Sequence, residues 1–111
     1  MIFHIAQLED WRCAEKQGEY RIPGLLAEGF IHCSTVKQFI PVAHRLFKGR
    51  KDLILLEIDE TLVQAPIKYE GETAEKFPHI YGPINLGAVN RTHEFVAQSD
   101  GTFLMPSTVT S

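Results

Sequence analysis

The feature that most constrains the fold is an apolar run, Leu53–Ile58, in which Glu57 is the one charged residue. A continuous apolar run without alternation is typical of a β-strand that is buried on both faces. Such a strand needs a neighbouring strand at each edge and other elements above and below it. The sequence therefore predicts a sheet centred on these residues.

The predicted helices lie before this strand. A helix is expected over Leu8–Lys16, where apolar residues recur at helical spacing and Gly18 follows as a stop signal. A second helix is expected from Ser34, which supplies an N-cap, to about residue 47. Pro41 interrupts this second pattern and either kinks the helix or begins its second half. The intervening segment, Tyr20–Leu26, is expected to form a turn-rich connection.

Most of the predicted strands come later in the chain. Besides the apolar run, strands are expected at Ile2–Ala6, Phe30–Cys33, Pro66–Glu70, Ala88–Ala97 and Thr102–Met105. Early helices followed by strands favour an α+β fold with small mixed or antiparallel sheets and two helices in the N-terminal half. A length of 111 residues corresponds to one domain, 1–111, in which residues 107–111 have the polar composition of a loose tail.

Composition and charge exclude several classes of protein. A net charge of −3 argues against a nucleic-acid surface, which normally carries a basic excess. The chain has no apolar run of about 18 residues, so no membrane span is expected. The N-terminus lacks the basic start of a signal peptide, and Cys13 and Cys33 have no disulfide or CxxC spacing. We therefore expect a cytoplasmic protein whose partner is a small molecule, and its oligomeric state stays open.

Candidate functional residues fall in two short segments around histidines, residues 28–34 and 77–83. Histidine is the side chain most easily poised between donor, acceptor and base near neutral pH. In the first segment, strand alternation places the side chains of His32 and Cys33 on opposite faces of the strand. Ser34 stands at a predicted helix N-terminus, which is a natural site for phosphate or carboxylate. For His32, a functional role and a role in the core remain equally open.

The second segment holds two polar rings in a stiff frame. Pro78 restricts the chain before His79, and Gly82–Pro83 turns it after Tyr81. Tyr81 is suited to stacking on a flat ring or donating a hydrogen bond. Glu70 ends the preceding strand, where its carboxylate would orient a histidine or a ribose hydroxyl.

The remaining histidines give weaker signals. His4 lies within the first predicted strand and points away from Phe3 and Ile5. His44 is expected to face solvent, and His93 is expected to have no special role. His4, His32 and His79 together match a known zinc arrangement, but no HxxxH, HxH or CxxC spacing offers a local metal clamp, so no metal is predicted.

The quoted segments, EGFIHCS and FPHIYGP, together with His4, Trp11, Gly18-Glu19-Tyr20, Gln38 and Glu70, resemble a known bacterial family. It is the family called domain of unknown function 952, and the resemblance extends from about residue 3 to residue 106. The resemblance implies a fold similar to the ADP-ribosyltransferases, which cradle NAD between two small sheets.

The resemblance also implies roles for individual residues. His4 stands where such proteins contact the nicotinamide ribose, and His32 and Ser34 stand where they hold the nicotinamide side. Glu70, or the segment from His79 to Tyr81, stands in place of the glutamate of many transferases. In related RNA phosphotransferases, histidines and arginines replace that glutamate.

The leading hypothesis is therefore a pocket for NAD or another nucleotide phosphate, with ADP-ribosyl or phospho-transfer. The catalytic candidates are His32, His79 and Glu70, and the ligand-binding candidates are His4, Ser34 and Tyr81. The alternatives are a non-catalytic small-molecule binding module and a metal-dependent hydrolase using the three histidines.

Overall fold

The computed structural model describes residues 1–109, and its helices and strands follow one another closely. In chain order, they are β1 (Ile2–Gln7), α1 (Leu8–Gln17), β2 (Glu19–Tyr20), α2 (Pro23–Glu28), β3 (Ile31–His32), α3 (Phe39–Leu46), β4 (Leu53–Ile58), β5 (Ile67–Glu70), β6 (Phe77–Ile80), β7 (Ile84–Asn85), a 3₁₀ turn (Leu86–Ala88) and β8 (Val89–Phe95). No helix in this range is long and apolar enough to cross a membrane.

The strands form two three-stranded sheets and one short pair. The first sheet has the order β1-β4-β8, the second sheet has the order β3-β6-β5, and β2 pairs with β7. Every pairing between these strands is antiparallel. The α+β prediction is confirmed, and the sheets described here are antiparallel rather than mixed.

Strand β4 is buried on both faces, as its apolar run predicts. Leu56 and Ile58 belong to one hydrophobic cluster, which also holds Ile31 and Ile80 of the second sheet. Leu53 and Leu55 face the opposite way, into a second cluster built around phenylalanines. Because alternate side chains of a strand point to opposite faces, this one strand joins the two halves of the core.

A backbone bridge connects the first sheet to the second sheet. The Phe3 N–H donates to the Ser34 carbonyl, and the Ser34 N–H donates to the Phe3 carbonyl, both at 2.7 Å. Ser34 directly follows the end of β3, so this bridge holds the second sheet against β1. The candidate site forms around this junction.

The predicted N-cap at Ser34 is wrong, because α3 begins at Phe39 with Gln38 as its N-cap. A turn separates Ser34 from this helix, and the Gln38 N–H donates to the Thr35 carbonyl at 3.0 Å. Pro41 therefore lies in the first turn of α3, where the missing backbone donor is tolerated. The predicted anion site at a helix start beside Ser34 does not form.

Two other predictions of local structure are also wrong. The segment Tyr20–Leu26 is more than a turn-rich connection, because it contains the end of β2 and most of α2, which raises the count to three α-helices in residues 1–109. The segment Thr102–Met105 forms no strand. In the predicted loose tail, the Thr108 hydroxyl lies 2.5 Å from His93 Nδ1, and residues 110 and 111 lie outside the described range.

Candidate functional site

A cleft of about 710 Å³ lies at the junction of β1, the end of β3, the second half of α3 and the loop after β5. This volume is within the range of small-molecule sites, about 300–1,000 Å³. Five of the six residues predicted for the site line it: His4, His32, Ser34, Glu70 and His79. The sixth, Tyr81, is not part of the lining but contacts Glu70.

His4 is buried at the cleft wall with both ring nitrogens hydrogen-bonded. Nδ1 donates to the backbone carbonyl of His32 at 2.6 Å, and Nε2 accepts from the Tyr20 hydroxyl at 2.9 Å. Burial lowers the pKa of His4 to about 4, so the ring is neutral at neutral pH. Burial also raises the pKa of Tyr20, which keeps its hydroxyl a donor. His4 thus fixes the backbone of β3 and the Tyr20 side chain.

Ser34 offers a hydroxyl to the cleft. The residue is only 6% exposed, and its backbone is used by the bridge to Phe3. Its hydroxyl makes no hydrogen bond to any residue in the range 1–109. Every fully buried side-chain oxygen or nitrogen in that range has a partner, so this hydroxyl is not fully buried. The hydroxyl therefore reaches the space of the cleft, where a ligand would be its partner.

Glu70 and His79 of the cleft lining form a hydrogen-bonded group with Tyr81. His79 Nδ1 donates to Glu70 Oε1 at 2.9 Å, and the Tyr81 hydroxyl donates to the same oxygen. The hydrogen bonds from Tyr81 and His79 hold the pKa of Glu70 below its usual value, so the group is a carboxylate at neutral pH. Its other oxygen, Oε2, has no hydrogen-bond partner among residues 1–109.

The register of the second sheet creates this arrangement. Glu70 pairs with Phe77 across β5 and β6, which places it diagonally opposite His79. His79 and Tyr81 are two residues apart, so both side chains extend from the same face, while Pro78 and Ile80 are buried on the other. Residues 77–80 form strand β6, so the frame that presents His79 is a strand, and Tyr81 directly follows its end.

His32 and His79 are direct cross-strand partners in this sheet, with ring centroids 5.1 Å apart. The ring of Phe30 stacks on His79 at 4.1 Å between centroids and lies edge-on to His32 at 4.8 Å. His32 Nε2 lies 3.2 Å from both carboxylate oxygens of Glu28, the last residue of α2. The Phe30 ring therefore packs against both histidines. His32 contacts the Glu28 carboxylate, and His79 contacts the Glu70 carboxylate.

Several supporting residues were given no role by the sequence analysis. Strand alternation places Phe30 beside His32, so a local signal for its role was present. Tyr20 has no such signal, because its contact with His4 depends on how β1 and β2 pack. Gln38 accepts from the Thr35 N–H at 2.9 Å and donates to the Lys76 carbonyl at 2.8 Å. It thereby ties the chain beside Ser34 to the loop that follows β5.

The lining of the cleft is acidic. Four carboxylates contribute to it, against one basic side chain, Arg45 of α3. The four are Asp10, Glu70, Glu72 and Glu75. Burial raises the pKa of Asp10, with a further contribution from Glu9. The local charge thus disfavours a phosphate group placed among these carboxylates.

The three-histidine zinc hypothesis lacks a ligand set. Within residues 1–109, no group of three or more His, Cys, Asp or Glu side chains is arranged to hold a metal ion. Both nitrogens of His4 are engaged by protein atoms. A metal-dependent hydrolase therefore has no support from this geometry.

The other two histidines lie outside the cleft. His93 is buried in β8, and its Nε2 donates to Glu57 at 2.9 Å. Burial opposes ionisation of Glu57, but hydrogen bonds from Asn90 and His93 hold its pKa below the usual value. His44 is exposed as predicted, and its Nε2 accepts the Phe103 N–H at 2.9 Å.

The chain is similar to proteins of known structure. The crystal structure of CC0527 from Caulobacter crescentus is 30% identical, with a TM-score of 0.84, covering 93% of this chain and 92% of that chain. The solution NMR structure of CC0527 has a TM-score of 0.78 at 30% identity, covering 91% of this chain and 89% of that chain. No curated protein is significantly similar.

Residues 5–92 match the family model described as "Protein of unknown function (DUF952)". This range is shorter than the predicted 3–106 but contains the first histidine segment, Glu70 and the second histidine segment. The predicted family is thus confirmed: the chain belongs to the DUF952 family.

Proposed function

We propose that the cleft binds NAD and that the protein is an ADP-ribosyl transferase of ADP-ribosyltransferase-like fold. The observation that carries the proposal is the Glu70 carboxylate, which lines the cleft with one oxygen fixed by His79 and Tyr81 and the other unpartnered within residues 1–109. The sequence left open which residue takes the place of the transferase glutamate. The position and ionisation of Glu70 favour this residue.

The donor set of the cleft suits the ribose and amide groups of NAD. The Ser34 hydroxyl lacks a partner within residues 1–109, and Glu70 Oε2 is an acceptor for a ribose hydroxyl. Tyr20 also lines the cleft, but its side chain is fully buried and its hydroxyl donates to His4, so it serves to hold His4 in place. Since both nitrogens of His4 bind protein atoms, we assign it a positioning role, in place of the direct ribose contact expected from the sequence.

When bound, NAD supplies a pyridinium leaving group, whose departure leaves positive charge on C1′ of the ribose. With the ribose bound against Glu70, the carboxylate would supply a fixed negative charge near that carbon, and such preorganised groups need no reorganisation as the charge develops. His79 donates from Nδ1 to Glu70, and in the tautomer that makes this bond the lone pair is on Nε2. In this scheme the hydroxyl of an acceptor or of water forms the new bond to C1′, nicotinamide leaves with the electron pair of the broken C1′–N bond, and Nε2 accepts the proton of that hydroxyl as a general base.

Phospho-transfer is the second candidate within this hypothesis, and the adjacent pair of histidines, His32 and His79, favours it. However, phosphoryl groups are usually stabilised by several cations. Arg45 is the one basic residue that lines the cleft, against four carboxylates. The charge therefore favours ribosyl transfer, in which the transition state is cationic.

The proposed function is tested by nicotinamide release from NAD by the purified protein. Glu70→Gln keeps the size of the side chain and removes its charge, and it should lower the rate by about 10²–10³-fold. Glu15→Gln is the matched control, since Glu15 is exposed on α1 outside the cleft, and it should leave the rate unchanged. Binding without release would identify a non-catalytic binding module, and equal rates for both variants would contradict the role of Glu70.

A further inference from the structure

The negative charge of the cleft lining and the burial of Ser34 indicate which part of a ligand the cleft holds. Asp10, Glu72 and Glu75 add to the charge of Glu70, and they come from α1 and from the loop after β5. Because Glu70 ends β5, the four carboxylates approach the cleft from three separate elements. Much of the remaining lining is apolar, including Phe47 of the segment after α3.

A second, independent observation supports a ligand in the cleft. Ser34 is only 6% exposed, and its hydroxyl has no hydrogen-bond partner within residues 1–109. Because no fully enclosed polar side-chain atom in this range lacks a partner, the hydroxyl opens into the cleft. An apolar, acidic cleft with one unpartnered buried hydroxyl suits a flat cationic ring that carries a hydroxylated sugar.

We infer, on the basis of the proposed function, that the cleft recognises the pyridinium–ribosyl cation of its ligand and discriminates against phosphate. Opposite charges attract the pyridinium ring to the carboxylates, while a phosphate placed among them is repelled. Arg45 is the single side chain of the lining with the charge to hold a phosphate. The carboxylates of the lining thus favour the cation over the phosphate, and Arg45 provides the residual affinity for a ligand that carries a phosphate.

The experiment compares nicotinamide riboside, which is a cation, with nicotinamide mononucleotide, which adds one phosphate. Dissociation constants are measured by NMR titration at low salt, with NAD as the third ligand. The riboside should bind about tenfold more tightly than the mononucleotide, and this gap should narrow at high salt because salt screens exposed charges. The double variant E72Q/E75Q removes two exposed charges of the loop, and it should also narrow the gap.

Arg45→Gln separates phosphate binding by Arg45 from attraction of the cation by the carboxylates. It should weaken binding of the mononucleotide severalfold and leave riboside binding unchanged. Arg12→Gln is the matched control, because Arg12 is exposed on α1 and does not line the cleft, and it should change neither affinity.

The outcomes distinguish this inference from the proposed function. If NAD binds in the cleft but the mononucleotide binds as tightly as the riboside or more tightly, the inference is overturned and the proposed function stands. If none of the three ligands binds at millimolar concentration, the proposed function is overturned and the inference with it.

Discussion

The buried His4 makes the stability of the protein depend on pH in a defined direction. Its pKa is lowered from an ordinary value of 6.5 to about 4, chiefly by burial. Between these values the unfolded chain binds a proton at this residue and the folded chain does not, so protonation favours unfolding. The stability linked to His4 is therefore complete above pH 6.5, decreases as the pH falls from 6.5 to about 4, and is constant below that.

The size of this effect follows from the two pKa values. One pH unit of difference corresponds to about 1.4 kcal/mol, so the full effect is about 3 kcal/mol. Lowering the pH from 7.5 to 5.0 covers most of this range, and the contribution of His4 should decrease the free energy of unfolding by about 2 kcal/mol. Other titrating groups also change the free energy of unfolding with pH, so a variant that lacks His4 is needed to isolate its contribution.

His4→Asn is the appropriate variant, because its amide retains a donor near the position of Nδ1 and does not titrate. Urea unfolding of both proteins at pH 7.5 and 5.0 gives four free energies. The destabilisation caused by the substitution should be about 2 kcal/mol smaller at pH 5.0 than at pH 7.5. If it is the same at both pH values, or if the His4 imidazole signals of the native protein titrate near pH 6.5, the account of His4 as a buried neutral ring is refuted.

Three further substitutions test the packing around the cleft and the first sheet. Tyr20→Phe leaves a buried imidazole nitrogen without its donor and should lower the free energy of unfolding by about 1–2 kcal/mol in urea titrations, whereas the exposed Tyr69→Phe should change it by less than about 0.5 kcal/mol. Gly71→Ala places a methyl carbon 2.5 Å from a backbone carbonyl oxygen and should destabilise the protein by about 1–3 kcal/mol, whereas Gly87→Ala, with nothing within 4 Å of the new carbon, should have a much smaller effect on its thermal midpoint. Glu57→Gln removes the charge that a buried histidine contacts and should cost about 2 kcal/mol by chemical denaturation. Equal effects for the two tyrosines or for the two glycines, or no loss at Glu57, would contradict the corresponding packing.

Local sequence patterns predict the elements whose stability is decided locally or by burial alone. The apolar run of β4 is buried on both faces, as expected. Helix α1 ends at Gln17, and Gly18 directly after it adopts the left-handed conformation at φ 88° that favours glycine. By contrast, α2 has only six residues, and the sequence Pro23-Gly24 at its start was interpreted as a turn. Pro at the first helical position is equally a helix start signal, so the choice depends on packing of Leu25 into the core.

The second histidine segment shows where local reasoning does not suffice. No strand is predicted over residues 77–80, and Pro78 gives no signal of one, because proline is rare inside a sheet. In the structure it lies in the central strand of the second sheet, where its carbonyl accepts the Cys33 N–H at 3.0 Å. Pairing with β3 and β5 outweighs the missing donor. This pairing is formed by residues distant in sequence, which a local pattern does not contain.

The same limit applies to the candidate site. The two histidine segments and Glu70 were selected from their composition, and the structure brings His32, His79 and Glu70 into one cleft. Which oxygen of Glu70 is engaged depends on the register of β5 with β6. The engagement of both nitrogens of His4 depends in turn on Tyr20, which belongs to another strand pair. Those contacts are tertiary, so they could not be predicted from residue spacing.

The most direct test of the central claim is a two-dimensional NMR titration of the protein with NAD, following backbone amides and imidazole signals. The account predicts shifts clustered at residues 32–34, at the segment from Glu70 to His79 and at His4. They should be absent from exposed residues of β8, on the far side of the first sheet from β1. No shifts at millimolar NAD, or shifts confined to residues outside the cleft, would contradict the claim that this cleft binds NAD.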